Sequence, residues 1–265
     1  MNAITKGYSN GPFGQVHWRA CGERGETPDL VCLHPAPFSG LAFTAIMPLL
    51  AKERRVIAPD FPGHGGSDPH RADASIRDYA EAMFSVTDNL PPDRPVDLFG
   101  FHTGCLVACE LSILAPDRVR SLVLIDVPAF DEATRHAHLA ESSAPPGFTT
   151  DIASLEPAWE RGITRRVESQ GMTRSFEMFV EHLRHGEAMN AGFHAGFTYP
   201  VEDRLAKVDQ PTTIIATQSM LLEPSRRAAS LIPAAKLIER LDITRAVLDE
   251  AAEPIADEVL TNLPS

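Results

Sequence analysis

Only four cysteines, Cys21, Cys32, Cys105 and Cys109, occur in 265 residues, too few and too scattered for a disulfide scaffold. Cys105 and Cys109 stand four apart in an apolar stretch. That spacing is neither a redox C-x-x-C nor a zinc motif, so buried reduced thiols are expected. No window reaches the roughly 18 apolar residues of a membrane span, and the opening MNAITKGYSNGPFG lacks the charged-then-apolar run of a signal peptide. Basic charge is scarce: 24 Lys and Arg face 36 Asp and Glu, a formal net charge of −12, and no Lys/Arg cluster exceeds a pair. A surface that tracks nucleic-acid phosphates or anionic membranes is thereby disfavoured. The expectation is a cytoplasmic protein with no nucleic acid and no membrane among its partners.

What is present is ordinary globular composition, 43% hydrophobic and 23% charged. A chain of this length buries roughly three quarters of its unfolded surface, enough for a core without metal or disulfide staples. Short β-rich runs fall at 15–21, 29–33, 55–58, 96–99, 119–125, 212–216 and 236–241, with helical periodicity at 41–52, 75–90, 103–114, 225–231 and 245–260. Runs such as LVCL and LVLI are apolar throughout, as parallel strands covered on both faces require. The alternation predicts an α/β sheet with crossover helices. Residues 130–207 break it with helical texture too long for a loop. They are expected to form a helical cap, or lid, leaving 1–129 and 208–265 as the core.

Three segments, LVCLHPAPFSG (30–40), VIAPDFPGHGGSD (56–68) and VDLFGFHTGCLVACELSILAPDRVRSLVLID (96–126), together resemble the α/β-hydrolase fold superfamily. The resemblance implies a mostly parallel eight-stranded sheet with helices on both faces and a helical lid inserted after the sixth strand. It also implies that the first segment supplies an oxyanion-hole amide and the third contains the nucleophile elbow, a G-x-S-x-G turn between strand and helix. Asp60, Gly63, Gly65, Ser67 and Asp68 match the family's turn-forming residues in the second segment.

The five elbow residues are Gly100, Phe101, His102, Thr103 and Gly104, so histidine stands where the family carries serine. The stretch that matches the family's acid reads ATQSMLLEP, with Met220 near the acid position and Glu223 displaced toward the next helix. The loop that matches the family's base, 242–247, reads DITRAV, and no histidine follows His194. A Ser-His-Asp triad of the usual layout is excluded by this inventory. Asp126, at the end of the neighbouring strand, is the remaining partner, expected to bond His102, fix its tautomer and raise its basicity. The plainer role for Asp126 is capping the turn before Pro128.

His34 borders the elbow and is a second catalytic candidate, against a role in bonding backbone within its loop. Pro35 and Pro37 carry no N–H, so the oxyanion donors are expected from Ala36 or Phe38 together with Thr103. Phe38, Phe101, Phe193, His194, Phe197 and Tyr199 are candidate substrate-lining residues, the last four against an alternative of core packing. Trp159, Arg161 and Arg165 offer either a cationic contact to an anionic substrate or a solvated face. His136 with His138, and His182 with His185, pair at close spacing, but no third ligand is evident, so no metal and no cofactor is expected.

Three readings stay open. One is a cofactor-independent hydrolase that cleaves an ester, lactone, thioester or carbon–carbon bond next to a carbonyl in a small molecule, with His102 as base or nucleophile. Another is a lyase, isomerase or decarboxylase that uses the same pair for proton transfer. The third is a non-catalytic small-molecule-binding protein. The partner in each is a small molecule, with a carbonyl group in the first two; the oligomeric state is open, a dimer among the options.

Overall fold

The apolar runs of the sequence become strands that feed two cores at once. In β3 (Leu30–Leu33), Val31 and Leu33 enter one buried cluster while Leu30 and Cys32 enter the other. In β6 (Val119–Ile125), Leu122 and Leu124 face the first cluster and Val123 and Ile125 the second. Successive strand side chains point to opposite faces, so a strand covered on both sides has no polar position to spare.

The computed structural model describes residues 3–71, 73–87, 94–142, 149–184 and 186–264. The remaining strands are β1 (Thr5–Gly11), β2 (Gly14–Cys21), β4 (Val56–Pro59), β5 (Val96–Phe101), β7 (Thr212–Thr217) and β8 (Lys236–Arg240). They join one eight-stranded sheet in the order β1-β2-β4-β3-β5-β6-β7-β8. β2 is antiparallel to both β1 and β4, and the pairings from β4 through β8 are parallel. The seven strand runs read from the sequence are present, and β1 is the addition. Its TKGYSNG has the composition of a turn, and it is a strand because it pairs with β2 from Thr5↔Ala20 to Gly11↔Gly14.

Helices cover both faces. On one lie α1 (Met47–Leu50) and α11 (Ala252–Asn262), which contribute Met47, Leu50, Ile255 and Val259 to a common cluster. On the other lie α2 (Ile76–Thr87), α3 (Thr103–Leu114) and α10 (Leu222–Leu231). Between β6 and β7 the chain runs through α4 (Glu132–Ser142), α5 (Glu156–Trp159), α6 (Val167–Gln170), α7 (Met172–Leu183), α8 (Ala191–Thr198) and α9 (Val201–Leu205). The helix expected from 245 begins only at Ala252, because Ala246 turns to a positive φ of 46° and breaks the run. The periodicity at 41–52 resolves into a 3₁₀ turn over Gly40–Phe43 followed by α1. All four cysteines are free and buried. Among the described residues, no helix is long and apolar enough to cross a membrane.

Behind the elbow, α3 is bound to the end of the intervening segment by a buried charge. Glu110 accepts from Tyr199 Oη at 2.8 Å and from Arg204 Nε and a terminal guanidinium nitrogen, each at 2.8 Å. Glu110 is buried but Arg204 is part-exposed, so Glu110→Ala removes charged hydrogen bonds without stranding a buried cation and is expected to lower unfolding stability by about 1.5–3 kcal/mol. Urea denaturation checks this; a loss below about 1 kcal/mol, the level of an exposed pair, contradicts it.

Candidate active site

β5 ends at Phe101 and α3 begins at Thr103, which leaves His102 alone at the corner with φ 50° and ψ −118°. Two glycines make so sharp a corner possible. A Cβ on Gly104 would stand 1.9 Å from the Leu33 carbonyl oxygen, and one on Gly100 would stand 2.7 Å from the Cys105 Cα. Hydrogen is the side chain that fits at either place. Asp126 (φ 53°) and Ala246 (φ 46°) share the left-handed region with His102, and all three line the same cleft. Strained backbone of this kind costs about 1–3 kcal/mol per residue and collects at functional sites.

His102 stands where two cavities meet. One, of about 220 Å³, is walled by Phe130, His138, Phe193, Phe197 and Leu221, with Ala36 and Thr103 beside the imidazole. The other, a cleft of about 570 Å³, also reaches Ala36 and His102 but is edged by Arg161, Arg165, Arg166 and Arg245. Phe38 and Phe101 line the cleft, and the Phe101 ring lies 4.0 Å from the His102 ring, centroid to centroid. Phe193 and Phe197 line the smaller cavity, one turn apart on α8.

The expected hydrogen bond between His102 and Asp126 is not made. The His102 Nε2 to Asp126 Oδ2 distance is 3.9 Å, within Coulombic reach but beyond hydrogen-bond geometry. Both carboxylate oxygens are committed to Thr217, whose N–H donates to Oδ1 at 2.8 Å and whose hydroxyl donates to Oδ2 at 2.7 Å. Burial pushes the imidazole down to about 4; the Asp126 charge opposes that fall and Arg166 adds to it. The open surface of the ring, 39% of the side chain, faces the partly enclosed cleft. The ring is therefore both reachable and neutral near pH 7.

Ala36 is buried, and its N–H and that of Thr103 have no hydrogen-bond acceptor among the described residues. Thr103 is the first residue of α3, where an N–H has no partner within the helix. The Phe38 N–H, the alternative donor, is used by the Pro35 carbonyl at 3.0 Å. His34 is not available for chemistry. It is fully buried, its Nε2 accepts from the Phe61 N–H at 2.9 Å, and its Nδ1 meets the Pro35 carbonyl at 3.1 Å. That pattern describes a neutral ring joining two loops. In the neighbouring loop, Asp60 accepts from His17, Arg19, Gly40 and Gly66, a structural knot.

Two further expectations are corrected. Tyr199 is 5% exposed with its hydroxyl given to Glu110, so it holds the fold and lines neither cavity. His194 lines neither cavity, because on α8 the positions 193, 196 and 197 share the face that borders the site and 194 is turned away. Among the other histidines, His136 is exposed, His138 stacks on Phe197 at 5.1 Å, and His182 lies 5.8 Å from Phe38; His185 falls outside the described residues. Among the described residues no three potential ligands gather as a metal site. Trp159 packs edge-on against Phe176 and Phe179, while Arg161 and Arg165 reach the cleft. Glu223 pairs with Arg226 on α10 and does not line either cavity.

Arg166, Thr217 and Phe130 carry no reading in the sequence, and His138 enters there only as a possible metal ligand, whereas it walls the smaller cavity. Arg166 lies one residue beyond a basic position noted above; Thr217 and Phe130 carry no local signal.

Thr217 holds Asp126 away from the imidazole, so Thr217→Val is expected to free Oδ2 toward His102 and raise its pKa above about 4. An NMR titration of the His102 ring measures this; an unmoved midpoint contradicts it.

A model of the alpha/beta hydrolase fold matches residues 28–219. Among curated relatives, the chain is 25% identical over 225 residues to a pimeloyl-[acyl-carrier protein] methyl ester esterase of Nitrosomonas europaea, covering 81% of this chain and 87% of that protein. It is 28% identical over 138 residues to an (E)-2-((N-methylformamido)methylene)succinate hydrolase of Acinetobacter baylyi, a match that spans 52% of each chain and thus about half the length of that relative. A crystal structure of a hydrolase from Pseudomonas aeruginosa superposes with a TM-score of 0.80 at 20% identity, covering 98% of this chain and 99% of that one. With the sheet order, the glycine-flanked elbow and the matched segment all in agreement, the chain belongs to the α/β-hydrolase fold family.

Proposed function

We propose that this chain is a cofactor-independent hydrolase cleaving an ester, lactone, thioester or carbon–carbon bond next to a carbonyl in a small molecule. In this reading residues 130–207 act as the cap over a core of 1–129 and 208–265. The observation that carries the reading is the neutral, reachable imidazole of His102 at the elbow, where two cavities join. The relative from Nitrosomonas europaea, by its name an esterase, supports a hydrolytic role.

In the proposed reaction the substrate carbonyl oxygen points at the N–H groups of Ala36 and Thr103. A water oxygen bonds to the carbonyl carbon while His102 takes the water proton, and the π pair moves onto oxygen. The oxyanion rests on the two amides, each such donor contributing about 2.7–4 kcal/mol in comparable sites. Collapse restores the carbonyl, the bond to the leaving group breaks, and the leaving atom takes the proton back from the imidazolium. Asp126, at 3.9 Å, stabilises that imidazolium through space. A general base of this kind supplies about 10²–10⁴ in rate. Direct attack by the imidazole, through an acyl-imidazole that water then cleaves, uses the same groups.

Turnover in ¹⁸O-labelled water tests the reading across a panel of small esters, lactones and thioesters. One labelled oxygen in the acid product is expected. Product formation without label selects proton transfer by a lyase or isomerase. A second reading, ligand binding without turnover, is favoured by one observation, the commitment of both Asp126 oxygens to Thr217. It predicts no product from any member of the panel and unchanged ligand affinity in His102→Ala.

The pH dependence follows from the sign of the shift. With the imidazole at about 4, the base form persists through neutral pH and activity is lost as pH falls and the ring protonates. The profile of kcat/KM is expected to be level down to about pH 5 and to fall below it, and His102→Ala to lose about 10²–10⁴ in kcat/KM. A fall centred near 6.5, the ordinary imidazole value, contradicts the lowered value for this ring.

A further inference from the structure

The arginine side of the cleft is chemistry that the hydrolytic scheme leaves unused. Of the four guanidinium groups on its edge, Arg165 pairs with Glu160 at 3.2 Å, Arg245 pairs with Glu250 at 3.2 Å, and Arg161, with no ion pair among the described residues, is exposed to solvent. Arg166 differs. It is half-buried, its guanidinium lies over the Phe38 ring at 5.8 Å, and among the described residues no carboxylate stands within 4.0 Å of it. The two carboxylates on the cleft wall are committed elsewhere, Asp126 to Thr217, and Asp249 to Arg174 at 2.8 Å and Gln170 at 3.0 Å. Burial draws the Arg166 guanidinium below its ordinary range; Asp249 opposes this and Arg174 adds to it. A desolvated cation without a counter-ion is unfavourable, and a ligand that brings the anion relieves it.

The smaller cavity at His102 has the reverse character. Phe130, Phe193, Phe197 and Leu221 wall the smaller cavity, and its volume of about 220 Å³ suits a ring or a short chain. The imidazole thus separates a cationic compartment from an apolar one. A guanidinium over an aromatic face keeps its in-plane N–H donors open, and two parallel bonds from that plane match a carboxylate. A phosphate monoester carries more charge than one half-buried guanidinium offsets, and the other three arginines on the rim are exposed to solvent.

We propose that the ligand of this cleft is an amphipathic organic acid, its carboxylate seated on Arg166 and its apolar end passed beyond His102 into the aromatic cavity. The proposal rests on the reading of His102 as the reacting centre only for what happens between the two ends; the charge subsite stands without it.

Calorimetric titration of the whole protein with phenylacetate and hydrocinnamate, each compared with its neutral amide, tests the subsite with no turnover involved. The wild type is expected to bind the acid at least about tenfold tighter than the amide, the discrimination of a charge-assisted hydrogen bond. Arg166→Gln is expected to erase that preference while amide affinity stays within about twofold, and Arg166→Lys to keep part of it, because the charge remains and the planar fork is lost. His102→Ala is expected to keep the full preference, so loss of the hydrolytic reading leaves this result intact, and the reverse. Equal binding of acid and amide, a preference that survives Arg166→Gln, or no binding of either compound overturns the proposal. Should Arg166→Gln not fold, a preference untouched by Arg166→Lys overturns it equally.

Discussion

The site depends on one close approach, the start of α3 pressed onto the end of β3 where Gly104 meets the Leu33 carbonyl. A methyl group at that point would require the helix to retreat. With hydrogen there, the strand-to-helix corner closes tightly enough to hold His102 at a positive φ and to bring Thr103 to the same cavity as Ala36. The cost of the strained corner is met by the packing on either side. β3 and β5 are buried on both faces, and α3 is anchored from behind through Glu110, Tyr199 and Arg204.

Around that corner, burial and charge compete for the imidazole, and burial wins. Asp126 lies near enough to be felt but is saturated by Thr217, so it does not orient the ring through a hydrogen bond. The consequence is a neutral imidazole between an apolar pocket and a cleft edged with arginine. Four arginines against two aspartates line the cleft, in a protein whose net charge is −12. Local charge and overall charge have opposite signs.

Much of this was legible in one dimension. Apolar runs predict seven strands, and the glycines at 100 and 104 mark the corner. Parallel neighbours end at the same edge of a sheet, and that rule brought Asp126 near His102. The same reasoning stopped at the hydrogen bond. Its winner, Thr217, is 91 residues from Asp126 and stands on the next strand, with nothing local to announce it. His34 and Tyr199 had the right chemistry in the right neighbourhood, yet each had its polar atoms spent on the fold. β1 was missed because its residues are strand only by virtue of the partner beside them.

By itself, the sequence determined the alternation of strand and helix, the position of the strained corner, and that histidine rather than serine stands between its glycines. Each of these follows from local sterics or from residue inventory, which need no long-range contact. Tertiary structure alone decided which polar groups around the elbow remain unspent among the described residues, the imidazole of His102, the amides of Ala36 and Thr103 and the guanidinium of Arg166 among them. A hydrogen bond or an ion pair goes to whichever donor the folded chain brings within about 3 Å, and that competition is settled between residues far apart in the chain.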